Sequence, residues 1–201
     1  MRKGDKTREH IIMKSAELFN RQGFAGSSLN HIIEAAGIQK GGIYRHFGSK
    51  DEIALEAYQY ATRRVGERFD EALGNETSSA GKLLAFFRVY ENVVDDPPFI
   101  GGCPMQNTAV ESDDTHPLLR RRAQQSLEAS LDRMTSIIAE GIRSGEFKPD
   151  VDAEALATFA FSLLEGGILL SKLEGSNRHM KMNMASFAAY LKQCSVQEDT
   201  C

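Results

Sequence analysis

With 201 residues and only three cysteines, Cys103, Cys194 and Cys201, too scattered for a disulfide framework or a paired zinc site, the chain is long enough to bury a core of one or two domains without staples and is expected in a reducing, cytoplasmic setting. No run approaches the roughly 18 unbroken apolar residues of a membrane span, and the charged N-terminus leads into an amphipathic segment rather than a signal-peptide run, so no membrane partner is expected. The net charge of −4 hides an asymmetry: residues 1–50 hold nine Lys or Arg against four Asp or Glu, a balance of +5, and the remainder holds 15 against 24, a balance of −9.

A basic module on an acidic body is the electrostatic footprint of local phosphate contact, although +5 over fifty residues also arises by chance. The first predicted helix spans about residues 6–22, with Ile12, Ala16 and Phe19 on one side and Lys14, Glu17 and Arg21 on the other. Gly23 closes it, and Phe24 is expected to tuck into a small core.

Residues 27–47 read as a helix-turn-helix. Leu29, Ile32, Ile33 and Ala36 fall at i, i+3, i+4 and i+7, and Ser27 or Ser28 can cap the helix they define. Gly37 ends that helix, because glycine takes the left-handed conformation without a side-chain clash. The second short helix carries Gln39, Lys40, Tyr44, Arg45 and His46 around Gly41 and Gly42, with only Ile43 and Phe47 as apolar anchors. Its outer face is polar, cationic and aromatic, as a nucleic-acid reader requires. Ser49 with Glu52 three residues on predicts a capping box for the next helix. Lys50 opposes that helix's macrodipole, which a DNA phosphate held by Lys50 and the first-turn amides would explain; a solvated lysine is the alternative.

The order Phe19, Gly23-Phe24, Ser27-Ser28-Leu29, Ile32, Ala35-Ala36-Gly37-Ile38, Lys40-Gly41, Ile43-Tyr44, His46-Phe47, Ser49-Lys50 closely resembles the DNA-binding domain of TetR-family transcriptional regulators over roughly residues 6–60. Gln39 stands where the family usually has Ser or Thr, and Gly42 where a larger residue is frequent, so capping and base reading are expected to depart from relatives. The resemblance implies an all-α chain: a three-helix DNA-binding domain over residues 5–65, and a helical effector-binding and dimerisation domain over residues 66–201. It implies phosphate contacts from Ser28, Tyr44 and Lys50. Gln39, Lys40 and Arg45 are expected at base edges, since Lys or Arg donates to guanine and Gln pairs with adenine. His46 is placed equally for a phosphate or for helix packing, and Gly41 for close approach of this helix to DNA or to the neighbouring helix.

The connecting helix is expected to run to about Leu73, followed by a turn over residues 74–79 and a helix from Leu83 to Val94 that Pro97-Pro98 ends. A short helix over about residues 103–111 has Pro104 in its first turn. A long helix over about residues 118–143 carries Arg120-Arg121-Arg122, read as a solvated or ion-paired face. Two more apolar helices cover about residues 153–174 and 178–192. The resemblance assigns Phe159, Leu163, Gly166, Gly167, Leu170, Met184 and Phe187 to a four-helix dimer interface; core packing is the alternative.

Phe87, Tyr90, Phe99, Cys103, Gln106, Asn107 and Phe161 have the mixed apolar and polar makeup of a small-molecule effector site, and each is equally placed to be core. Cys103, after Gly101-Gly102 and at a helix start, is where amides and dipole activate a thiol. Some family members that sense oxidants or electrophiles resemble this segment, with Lys172 as the possible cationic partner; a buried, inert cysteine is the other reading. No phosphate-cradling glycine loop, His-Glu-x-x-His or Gly-x-Ser-x-Gly occurs, and the five histidines lack metal-ligand spacing. Catalysis, metals and cofactors are therefore not expected. The expectation is a homodimer that represses from a palindromic double-stranded operator and is released by a small-molecule effector, with activation left open.

Overall fold

The computed structural model describes residues 3–196; Cys201 lies outside them. Among the described residues the regular elements are helices: α1 Lys3–Gln22, α2 Leu29–Ala36, α3 Lys40–Tyr44, α4 Lys50–Gly74, α5 Ser79–Val89, α6 Pro104–Ser112, α7 Pro117–Arg143, α8 Ala153–Glu174 and α9 Arg178–Cys194. The fold is all-α, with one isolated antiparallel bridge, Phe147 to Ser195.

The chain forms two compact units. One comprises residues up to Gly66 with Phe99–Ser126; the other comprises Glu67–Pro98 and the chain from Leu127 on. The boundaries thus cut α4 and α7, and the unit that holds the helix-turn-helix also takes in α6, which the sequence reading grouped with the C-terminal body.

In the first unit, Ile11, Ile32, Ala36, Ile43, Phe47 and Ile53 form the core under α1 to α4. A second cluster joins Ala54, Tyr58 and Leu119, with Phe19 and Phe24 packed against it. The periodic apolar stripes of α1 and α2 face this core, and Ile43 and Phe47 are the two anchors of the α3 region. The recognition helix is shorter than the sequence suggested: Arg45 caps its C-terminus and His46 follows beyond it.

In the second unit, α5 departs from expectation. It begins four residues earlier than Leu83 and ends at Val89 rather than Val94. Ser78 accepts from the Gly81 amide, and the Glu146 carboxylate accepts from the Ser79 and Ala80 amides at 2.7 and 2.8 Å. Those groups are the orphan donors of a first turn, and an anion there also meets the positive end of the dipole. The turns after Val89 are held by Asn177, which accepts from the Val94 amide at 2.9 Å and donates to Asp95 at 2.6 Å.

Helix α8 is long and apolar enough to cross a bilayer by length and composition, a property that a search for unbroken apolar runs passes over. One of its faces packs on α9. The Met180 amide donates to Ser171 Oγ at 2.9 Å, Asn183 donates to the Leu163 carbonyl at 2.8 Å, and a Cβ at Gly167 would meet Met180 at 3.0 Å.

Candidate nucleic-acid interface

The interface is built on two short helices whose ends are fixed by local chemistry. Ser28 is the N-cap of α2: its Oγ accepts from the His31 amide at 3.2 Å, while His31 Nδ1 accepts from the Ser28 amide at 3.3 Å. This is a capping box in which histidine takes the usual place of Glu or Gln. Ser27, the other candidate cap, is buried and donates instead to the Gly23 carbonyl at 2.7 Å. Gly37 stops α2 at φ +62°, in the left-handed region.

Gln39 is the N-cap of α3 but makes no side-chain capping bond, and its side chain is exposed. Lys40, Gly41 and Arg45 are exposed, and Tyr44 is 54% exposed. The Lys40 ammonium sits 5.9 Å from the Tyr44 ring centroid, one helical turn away. A Cβ at Gly41 meets nothing within 4 Å, which removes close approach to a neighbouring helix as the reason for that glycine. His46 is half-buried beside Phe47, with ring centroids 6.5 Å apart.

Lys50 points inward. Its Nζ donates to the Phe24 carbonyl and lies 3.9 Å from the Phe24 ring centroid, so the cation that opposed the α4 dipole is explained inside the chain. Burial lowers its pKa, while Glu111 and Asp51 pull it up. A phosphate role for Lys50 requires the ammonium to leave Phe24. At the start of α4, Ser49 Oγ accepts from the Glu52 amide at 3.1 Å, but Glu52 reaches Gly48 rather than closing the expected box on Ser49.

Sequence reasoning missed the residues that brace this head. Arg8 pairs with Glu56 and stacks 4.7 Å from the Phe47 ring centroid; the Glu56 hydrogen bond raises the Arg8 pKa against burial. Glu111 accepts from both the Phe24 and Ala25 amides at 2.7 Å. No local pattern signals either contact, because their partners lie 48 and about 87 residues away.

The seven expected effector residues are divided between the two units. Phe87, Tyr90 and Phe161 belong to the second unit, and Phe99, Cys103, Gln106 and Asn107 to the first. Phe87 is core, stacked on Phe187 at 5.0 Å, and Tyr90 is buried against Phe69. Phe99 packs edge-on to Tyr60 at 6.3 Å. The Asn107 amide donates to Asn20 and to the Gly101 carbonyl at 3.0 Å, which makes it a structural tie. A cavity of about 30 Å³ beside Phe19, Phe24, Tyr58 and Asn107 has room for about one water.

Cys103 is 6% exposed and is the N-cap of α6, its sulfur accepting from the Gln106 amide at 3.5 Å. Lys172 is exposed on α8, in the other unit. Among the described residues no three His, Cys, Asp or Glu converge into a group able to hold a metal.

Of the expected dimer residues, Phe187 and Gly167 face inward, Phe187 fully buried between Phe87 and Phe159 and Gly167 against Met180; both belong to the core. Leu163, Gly166 and Met184 are half-buried, and Phe159 and Leu170 are exposed.

A family model described as bacterial regulatory proteins, tetR family, matches residues 11–57. A second, described as tetracyclin repressor-like, C-terminal domain, matches residues 79–187. The HTH-type transcriptional repressor DhaR of Mycobacterium sp. (strain GP1) is 25% identical over 171 residues, 83% of each chain. A TetR transcriptional regulator from Chloroflexus aurantiacus J-10-fl is 38% identical, with a TM-score of 0.93 over 97% of this chain and 98% of that one. A cysteine mutant of the TetR-family regulator CifR, solved with 26-base-pair double-strand operator DNA, shares the fold at 20% identity, with a TM-score of 0.81 over 90% and 94% of the two chains. Matching models over both the reading head and most of the C-terminal part, together with a near-full-length relative at 38% identity, place the chain in the TetR family of transcriptional regulators.

Proposed function

We propose that the chain is a homodimeric repressor that binds a palindromic operator in double-stranded DNA through α3 and the N-terminus of α2. The carrying observation is the α3 surface: Gln39, Lys40, Tyr44 and Arg45 project from five helical residues and their caps while Ile43 alone anchors the helix. Gln39, Lys40 and Arg45 are assigned to base edges, and Ser28, Tyr44 and His46 to phosphates. Lys50 joins the phosphate set if DNA draws it off Phe24. Gly41 lets the helix approach the DNA backbone.

One such helix makes few contacts, so useful affinity needs two half-sites about 34 Å apart, or a multiple of that. The dimer surface is supported by an unusual feature of α8. Its Leu156, Ala160, Leu164, Ile168 face is buried, and the opposite stripe of Phe159, Leu170 and Leu173 is exposed, with Leu169 beside it. A helix apolar on both faces in a water-exposed setting calls for a second partner. The same observation explains its bilayer-like composition, and we assign the exposed face to a second copy of the chain.

Release by a small-molecule effector is the regulatory reading. The effector is expected to act through a coupling free energy of about 1–3 kcal/mol between its site and the operator-bound state. Of the residues first expected to meet it, Gln106 and Phe161 are half-buried and keep surface for a ligand. For thiol sensing at Cys103, the sulfur's place at the α6 N-terminus is in favour and its burial against.

The experiment is selection of duplexes from random DNA by the purified chain. A palindrome recovered with a large preference over competitor DNA supports the reading, and equal retention of all sequences sinks it. Unchanged operator binding after peroxide or N-ethylmaleimide removes the thiol reading.

A further inference from the structure

The turn between α1 and α2 sets where the reading head begins, and its backbone groups are satisfied from outside the helix-turn-helix. Gly23 ends α1 at φ +78°. A left-handed residue before two open amides makes a concave anion site. The Phe24 and Ala25 amides donate there to the two oxygens of Glu111, each at 2.7 Å. A Cβ at Gly23 would lie 2.7 Å from the same carboxylate, so the turn is pressed directly onto it.

The Phe24 carbonyl, on the other side of that residue, accepts from Lys50. Phe24 is therefore held through its donor by α6 and through its acceptor by α4. Ser27 donates back to Gly23 and completes the turn, one residue before the Ser28 cap of α2. On α6, Asn107 lies four residues before Glu111 and therefore on the same face. Its amide donates to the Asn20 carbonyl and side chain at 3.0 Å. One short helix thus grips the last turn of α1 and the turn that follows it.

We propose that Glu111 is a positioning residue for operator binding: its carboxylate fixes the Phe24-Ala25 turn and thereby the position from which α2 and α3 enter the DNA groove. A charged acceptor on two amides is worth more than a neutral one, and replacing one oxygen by an NH₂ sets donor against donor. Glu111→Gln keeps the volume and removes the match. Glu111→Ala removes the group.

The inference rests on the operator-binding reading above. Its test uses the full chain, ¹⁵N-labelled, with the duplex selected from random DNA. In the wild type the Phe24 and Ala25 amide protons are expected well downfield, and in both variants they move upfield while the rest of the spectrum stays dispersed. The operator Kd is expected to rise about tenfold or more in both variants, the size set by loss of charge-assisted bonds. A Glu111→Gln protein with wild-type Kd, or with unmoved Phe24 and Ala25 resonances, overturns the inference and leaves operator binding intact. A wild-type chain that selects no DNA overturns the operator reading, and this inference with it.

Discussion

Gly41 separates two demands on one residue of a recognition helix. Its φ lies outside the left-handed region and a Cβ there would touch nothing, so alanine is compatible with the fold and gains up to about 1 kcal/mol of helix propensity. Gly41→Ala is expected to raise the thermal midpoint and at the same time weaken operator binding, because the added methyl would stand between α3 and DNA. Calorimetry and a binding titration read the two effects separately; a more stable protein with unchanged affinity would take Gly41 off the DNA surface. Cys194 gives a second residue-scale test. Burial pushes its thiol pKa up, against Lys148 and a Tyr190 hydrogen bond. A raised folded pKa stabilises below the unfolded thiol pKa, ordinarily 9.0, and that contribution is lost as pH rises through the folded value. Native-state alkylation of Cys194 by iodoacetamide is expected to be slow at pH 8 and to accelerate only above pH 9. Rapid reaction at pH 8 would contradict the buried thiol.

Helices whose ends are written in their own residues were legible in the sequence. Ser28 and Gly37 bracket α2, Pro104 opens α6, and the stripe of Ile32 and Ala36 marks the core face. The α3 surface was legible too, since Gln39, Lys40, Tyr44, Arg45 and His46 lie within one short segment around Gly41 and Gly42. Ends fixed by distant groups were not. The start of α5 depends on Glu146, 66 to 67 residues from the amides it accepts from, and the inward turn of Lys50 depends on a carbonyl 26 residues before it. Spacing within a segment carries no trace of such partners. The expected effector residues show the same limit: helical aromatics such as Phe87 and Tyr90, both buried, read alike in a sequence whether they line a site or fill a core. The α5 account is testable at this scale. Glu146→Ala strips an anionic cap from two first-turn amides and is expected to cost about 1–3 kcal/mol in urea unfolding. A loss near zero would mean that Ser78 caps α5 unaided.

For the whole molecule, the decisive question is what covers the outer stripe of α8. Leu173 is 83% exposed and Leu170, Leu169 and Phe159 accompany it, while the opposite side of the same helix is buried with α9. Burying several such side chains against a second copy contributes about 1.5–3 kcal/mol each, enough to offset the entropy of association when both copies supply them. A charge in that stripe must either be desolvated without a partner or keep the copies apart, and the second is cheaper. Leu170→Glu with Leu173→Glu is therefore expected to give a folded monomer by light scattering, with helical circular dichroism unchanged because both positions are solvent-facing within one chain. Phe187→Ala is the contrasting variant: that ring is fully buried between Phe87 and Phe159, and its loss is expected to cost about 3–5 kcal/mol of stability. The monomeric double variant should lose operator affinity far more steeply than any single α3 substitution, since it removes one of two reading heads at once. If it stays dimeric, or if it binds a full palindrome as tightly as wild type, the α8 stripe is not the surface that pairs the two heads.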